Sequence, residues 1–317
     1  MKLPVFDFHC DTALNLAGGP GHPASTLRRN DGHIDLERAA TLDGYCQCFA
    51  CFTTTWENLP AGESVEEIFR RTLDAAILQM EKNSDYIRHA YSAAEVRENY
   101  AAGKMSGILT IEGPAGFGFD PAMLEQLHAI GFRASTLGWN EKNPLTGSNV
   151  TGGGLTDLGR EYVRQCQRLG IAVDVSHISD EGFWDIMRIT EKPIIASHSN
   201  SRAVHPCARN LTDDMFRAIC ETGGTAGFNM FAFFIGENVT LDTCCDHILH
   251  FLELDPDGRH ISLGGDLDGC DVLPADFAGV QDYPKFAAAL RARGVDDALL
   301  HRIFWDNALE VLDKCTI

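Results

Sequence analysis

Positive charge is what this chain has least of. In 317 residues, 26 lysines and arginines stand against 45 aspartates and glutamates, a formal net charge of −19. A surface of that sign repels phosphate backbones and anionic lipid, so neither nucleic acid nor a membrane surface is expected as a partner. Any anionic group on a substrate then needs a local cation to hold it. Long apolar runs are also missing: no stretch is apolar over the roughly 20 residues that a bilayer span needs. No basic start followed by an apolar run precedes the first strand-like segment, so no secretory leader is expected. Cysteines number 11, an odd count with irregular spacing. They read as reduced thiols in a cytoplasmic protein, not as a disulfide framework. Repeats, low-complexity tracts and linkers are absent.

What is present is ordinary globular composition, 44% hydrophobic and 22% charged, and a regular alternation. Strand-like runs fall at 4–9, 45–52, 106–112, 132–139, 171–177, 193–198, 224–231 and 260–266. Helix-like segments lie between them. The segment 64–83 opens with Ser64 and Glu67, a capping-box pair. The segment 156–170 closes on Gly170. Segments 212–224 and 241–254 have amphipathic spacing. Strand–helix alternation implies a parallel sheet, and eight units imply a closed (β/α)8 TIM-like barrel, a single α/β domain over 1–317. An open doubly wound sheet is the alternative, disfavoured because no G-x-G-x-x-G follows the first strand.

In such a barrel the chemistry sits at the C-terminal ends of the strands. The first run, "VFDFHCDT", ends in His9 and Asp11. Side chains at i and i+2 of a strand share a face, so His9 and Asp11 converge while Cys10 turns away. An isolated His-x-Asp is more simply explained by caps, His9 on the strand and Asp11 on the next element. The other strand ends supply Glu112, Trp139 with Asn140, His177, His198 and Asp266. Each alone has a structural explanation, as a helix cap or a core histidine. Together, three imidazoles and three carboxylates at one mouth need a cation to neutralise them. Imidazole with carboxylate suits zinc better than magnesium or calcium. Five ligands, His9, Asp11, Glu112, His177 and His198, are too many for one tetrahedral ion. They fit two zinc ions per chain sharing a carboxylate, for which Glu112 is the natural bridge. The run "CQCFACF" reads as a buried strand and receives no metal.

These residues resemble those of the renal or membrane dipeptidase family, a branch of the amidohydrolase superfamily. The similar pieces are "FHCDT", "HIDLERA", "IEG", "GLTDLGREYVRQCQRLGIAVDVSHISDEGFWDI", "PIIASHSNSRAV", "ARNLTDD" and "LGGDLDG". They stand in family order over nearly the whole chain. The resemblance implies one zinc on His9, Asp11 and Glu112 and a second on Glu112, His177 and His198. It implies that Asp266 is the catalytic carboxylate and that Arg209 receives the substrate's free carboxylate. Many members carry a histidine, thought to assist the oxyanion, where this chain has Trp139, followed by Asn140. Both are expected to contact substrate, Trp139 through its indole N–H or only as a wall.

The expected activity is zinc-dependent hydrolysis of small dipeptides by a metal-bridged hydroxide, with Asp266 shuttling the proton and C-terminal D-residues within range. Two rivals stay open: another binuclear amidohydrolase or lactonase, and a non-catalytic metal-stabilised barrel. A homodimer is left open as the one protein assembly.

Overall fold

The computed structural model describes residues 3–19, 23–55, 59 and 62–315. The strands are β1 (Val5–Cys10), β2 (Tyr45–Phe52), β3 (Ile87–His89), β4 (Met105–Glu112), β5 (Phe132–Thr136), β6 (Ala172–Asp174), β7 (Ile194–Ala196), β8 (Thr225–Phe228) and β9 (Ile261–Leu263). All neighbours pair in parallel. The order runs β2-β1-β9-β8-β7-β6-β5-β4, and pairing of β2 with β4 closes the ring. This is the expected eight-stranded parallel barrel with helices between its strands. β3 lies outside the ring against the start of β4, Ile87 opposite Met105.

Alternate strand residues divide between two apolar clusters, as a two-residue period requires. Val5, Tyr45, Phe49, Leu109, Val173 and Ile194 join the larger cluster, shared with the helices. Phe6, Cys46, Ile108, Ala134, Ala172 and Ile195 join the smaller one, together with Trp305 and Leu309 from the C-terminal segment. Trp305 packs edge-on against Phe6, 6.2 Å between centroids. Cys315 reaches the carbonyl of Pro193, just before β7. The C-terminal helix, Asn307–Cys315, therefore floors the barrel at the N-terminal ends of its strands.

The helix signals act as read. Ser64 and Glu67 form the reciprocal capping box of the helix Val65–Lys82. Thr156 caps the helix Asp157–Leu169, which stops at Gly170 in a left-handed conformation, φ 81°. The cysteines of β2 are buried and all 11 are free.

Two details correct the expectation. Five strands are shorter than their sequence runs, most clearly β6, which stops at Asp174 instead of 177, and β9, which stops at Leu263 instead of 266. The cause lies in the backbone: His177 and Asp266 adopt left-handed φ values of 69° and 57°, which end a ladder and turn the side chain off its line. And β3 was not foreseen.

Candidate metal and substrate site

The barrel mouth brings the expected residues together. His9, within β1, is 2% exposed. Pairing of β1 with β2 slips in register between Asp7 and Cys10, a kind of irregularity that re-aims side chains near active sites. The Nε2 of His9 lies 3.2 Å from Glu112 Oε2, 3.6 Å from Asp11 Oδ2 and 3.8 Å from Asp266 Oδ1. Glu112, at the end of β4, turns its other oxygen away from His9. Oε1 is 3.0 Å from His177 Nε2 and 3.6 Å from His198 Nε2. The rings of His9 and His198 stack at 3.8 Å. Within 4.8 Å of one another lie ligand atoms of His9, Glu112 and His198, and likewise of His9, Asp11 and Asp266.

These residues fit a cation. His9 Nε2 and Asp11 Oδ1 are buried without a hydrogen-bond partner. The Nε2 atoms of His177 and His198 face each other at 3.0 Å. His177 Nδ1 sits 3.1 Å from the side-chain oxygen of Asn140, an acceptor, so its proton is on Nδ1 and its Nε2 offers a lone pair. Protonation reflects the same crowding. Burial pushes Glu112 up to about 7, against the pull of His9. Burial, with Asp11 adding to it, pushes Asp266 up to about 6. Burial opposes a charge on His9, yet Glu112 and Asp11 together hold it well above the usual imidazole range. Burial first, then neighbouring cations, holds His177 and His198 well below it. A metal ion bound here would displace protons from these groups, since it takes deprotonated ligands.

Beside the cluster opens a cavity of about 220 Å³, walled on its apolar side by Leu14, Phe52, Trp139, Phe231 and Phe234. Asn140 lines the same cavity. Trp139 stands edge-on to Phe52 at 5.3 Å. Arg209 is 5% exposed, its guanidinium 5.6 Å from the Phe234 ring. Its Nη1 donates to Ser199 Oγ at 2.6 Å, while Nε and Nη2 are buried with no partner. Arg209 is thus buried and not engaged at the surface, where Asp213 binds His250 and Asp214 binds Arg217.

Sequence reading missed Asn229. Its amide nitrogen donates to Asp266 Oδ2 at 2.9 Å, fixing that carboxylate and leaving Oδ1 toward His9. The signal was a polar residue just past the end of β8, the one strand given no site residue on the barrel's C-terminal side apart from β2. It also missed Phe231, placed only within the strand-like run 224–231, and Phe234, both of which line the cavity. Elsewhere, Cys220, Asp255 and His260 approach one another. Asp255 accepts the His260 backbone N–H and His260 Nδ1 donates to Gly224 O, so they serve the turn before β9 and receive no metal here.

A family model described as membrane dipeptidase (peptidase family M19) matches residues 1–316. The chain resembles an uncharacterized dipeptidase of Schizosaccharomyces pombe, 33% identical over 226 residues, 69% of this chain and 55% of that one. It thus spans little more than half of that relative. Dipeptidase tcpJ of Claviceps purpurea is 28% identical over 304 residues, covering 89% of this chain and 69% of that one. Among solved structures, a metallopeptidase of Rhodobacter sphaeroides, liganded with a phosphinate mimic of the dipeptide L-Ala-D-Ala, superposes with a TM-score of 0.88 at 27% identity, covering 99% of this chain and all of that one. A match of one family over almost the full length, on a barrel whose strand ends carry these side chains, means that the chain belongs to the membrane dipeptidase family, peptidase family M19.

Proposed function

We propose that this protein is a dinuclear zinc dipeptidase acting on small dipeptides, including those with a C-terminal D-residue. The observation that carries the reading is Glu112. Its two oxygens serve two sets of imidazoles, Oε2 toward His9 and Oε1 toward His177 and His198, the disposition of a bridging ligand. Asp11 would complete the His9 side. Imidazole and carboxylate donors favour zinc. Bound there, the ions would polarise the scissile carbonyl and acidify the attacking water.

The chain's own groups do the rest. Asp266, tethered through Oδ2 by Asn229, takes the proton of the attacking water on Oδ1 and hands it to the leaving amine. Arg209 offers its two unpartnered donors to the C-terminal carboxylate of the dipeptide, a task that suits a planar guanidinium. The aromatic wall keeps bulk water from the reacting atoms. Trp139 belongs to that wall and can give its indole N–H to the substrate, with Asn140 beside it. The mimic bound by the Rhodobacter protein supports the tolerance of D-residues. Eleven free thiols support a cytoplasmic setting.

Elemental analysis of protein purified without chelator, followed by a dipeptide screen, tests the reading. About two zinc ions per chain with dipeptide turnover is the expected result. Active protein with no metal, or zinc-loaded protein that opens lactones and leaves dipeptides intact, would overturn it.

A further inference from the structure

Asp174 has no part in the mechanism above. It ends β6 and is 3% exposed, a costly place for a carboxylate unless donors surround it. They do. Oδ1 accepts the backbone N–H of Ser176 at 2.9 Å and that of Ser197 at 2.9 Å. Oδ2 accepts the hydroxyl of Ser197. The same Ser197 oxygen lies 2.6 Å from His198 Nδ1.

Proton counting gives this chain a direction. A carboxylate only accepts, so the single hydroxyl proton of Ser197 points at Asp174. The Ser197 oxygen is then the acceptor for His198, whose Nδ1 must carry the proton. Nε2 is left with a lone pair, aimed toward Glu112 and His177. His177 is held in the same tautomer by the amide of Asn140, but without a charge behind it. We propose that Asp174, acting through Ser197, is a positioning residue that sets the tautomer of His198 and thereby the strength of the metal site it shares with Glu112 and His177. The proposal rests on the metal reading of those three residues. Outer partners of this kind typically govern metal affinity by 10–100-fold.

Asparagine at this position makes a sharp test because it reverses the chain. In Asp174→Asn the amide oxygen still accepts the two backbone N–H groups. The amide nitrogen now donates to Ser197, whose proton turns to His198 Nδ1 and drives the ring proton onto Nε2, where the metal would bind. Ser197→Ala removes the link and leaves Asp174 on its backbone partners. Ser197→Thr keeps the hydroxyl.

Two measurements separate the proposal from the reading beneath it. Nitrogen-15 NMR of the zinc-free protein should show His198 as the Nδ1–H tautomer in the wild type and as Nε2–H in Asp174→Asn. Competition with a chromophoric chelator should show two zinc ions bound by the wild type. In Asp174→Asn and Ser197→Ala one ion should be held as before and the other roughly 10–100-fold more weakly, with Ser197→Thr near wild type. Thermal unfolding of the zinc-free forms checks that all are folded, and Ser197→Ala carries the test should Asp174→Asn fail to fold. A wild-type His198 protonated on Nε2, or a second zinc held equally well by both variants, overturns the relay. A wild type with the Nδ1–H tautomer and no zinc affinity overturns the metal reading instead.

Discussion

Asp266 pays for its position with an unfavourable backbone. Its φ of 57° costs a non-glycine residue on the order of 1–3 kcal/mol, and His177 bears the same cost. Strain of this size persists where the surroundings impose it, here the Asn229 amide and the backbone bond from Asp266 N to His9 O, 3.1 Å. Asp266→Asn keeps the shape and loses the proton acceptor. Turnover should fall by roughly 10²–10⁴ with zinc content unchanged; a kcat near wild type would remove Asp266 from the reaction. Arg209 makes a different demand. Arg209→Ala should lower kcat/KM for a free dipeptide by roughly ten- to a hundred-fold, the worth of a charge-assisted pair of about 1.5–3 kcal/mol. A dipeptide with an amidated C-terminus should lose far less, and equal losses on the two substrates would mean that Arg209 only supports its loop. At this scale the sequence was legible in position: His9 and Glu112 stand on β1 and β4, and Asp11, His177, His198 and Asp266 follow within three residues of the ends of β1, β6, β7 and β9. It was mute on partners. Asn229 meets Asp266 across 37 residues and Ser197 meets Asp174 across 23, and only the neighbour relations of the closed barrel bring such pairs together.

Elements carry their own titration. His247, on the helix Leu241–Leu254, is fully buried. Its Nδ1 accepts the Ser201 N–H at 3.1 Å and its Nε2 donates to Ile235 O at 3.0 Å, so the neutral ring ties this helix to the loop after β7. Burial pushes it down to about 4. An unfolded histidine titrates near 6.5. Between those values the unfolded chain binds the proton and the folded chain does not, so stability declines as pH falls from about 6.5 to about 4, by up to about 3 kcal/mol from this residue. Urea unfolding of wild type and His247→Asn at pH 7 and pH 5 measures it. The variant should start less stable and lose less on acidification; identical pH slopes would sink the assignment. Element types were readable because capping pairs such as Ser64–Glu67 and runs of β-formers such as Val5, Phe6 and Phe8 act locally. β3 was not, since three residues with only Ile87 buried leave no periodic trace. Nor were the early ends of β6 and β9, because the left-handed turns at His177 and Asp266 are imposed by the site and not by the residue types.

For the whole molecule, the metals should act as a clamp across the mouth. The proposed ligands, on or just after β1, β4, β6 and β7, meet there, and without cations their carboxylates and imidazoles are buried against one another. Zinc at a thousand times its dissociation constant adds about 4 kcal/mol of stability per site. Chelation should therefore lower the unfolding midpoint well beyond the effect of any surface substitution, and coincident urea curves for zinc-loaded and chelated protein would argue against a structural clamp.

The closed ring also fixes a timetable. Asp7, two residues before the first ligand, bonds the Gly265 N–H 258 residues later, and the floor of the barrel comes from Asn307–Cys315. At about 5–20 residues per second, on the order of 10–50 s separate the emergence of His9 from a ribosome and that of Asp266. During that interval the nascent chain holds its first imidazole and carboxylates without the neighbours that would shield them. The centre is therefore assembled late, when β9 docks beside β1, and a metal ion that needs the whole cluster can be held by a finished barrel and not by a growing one.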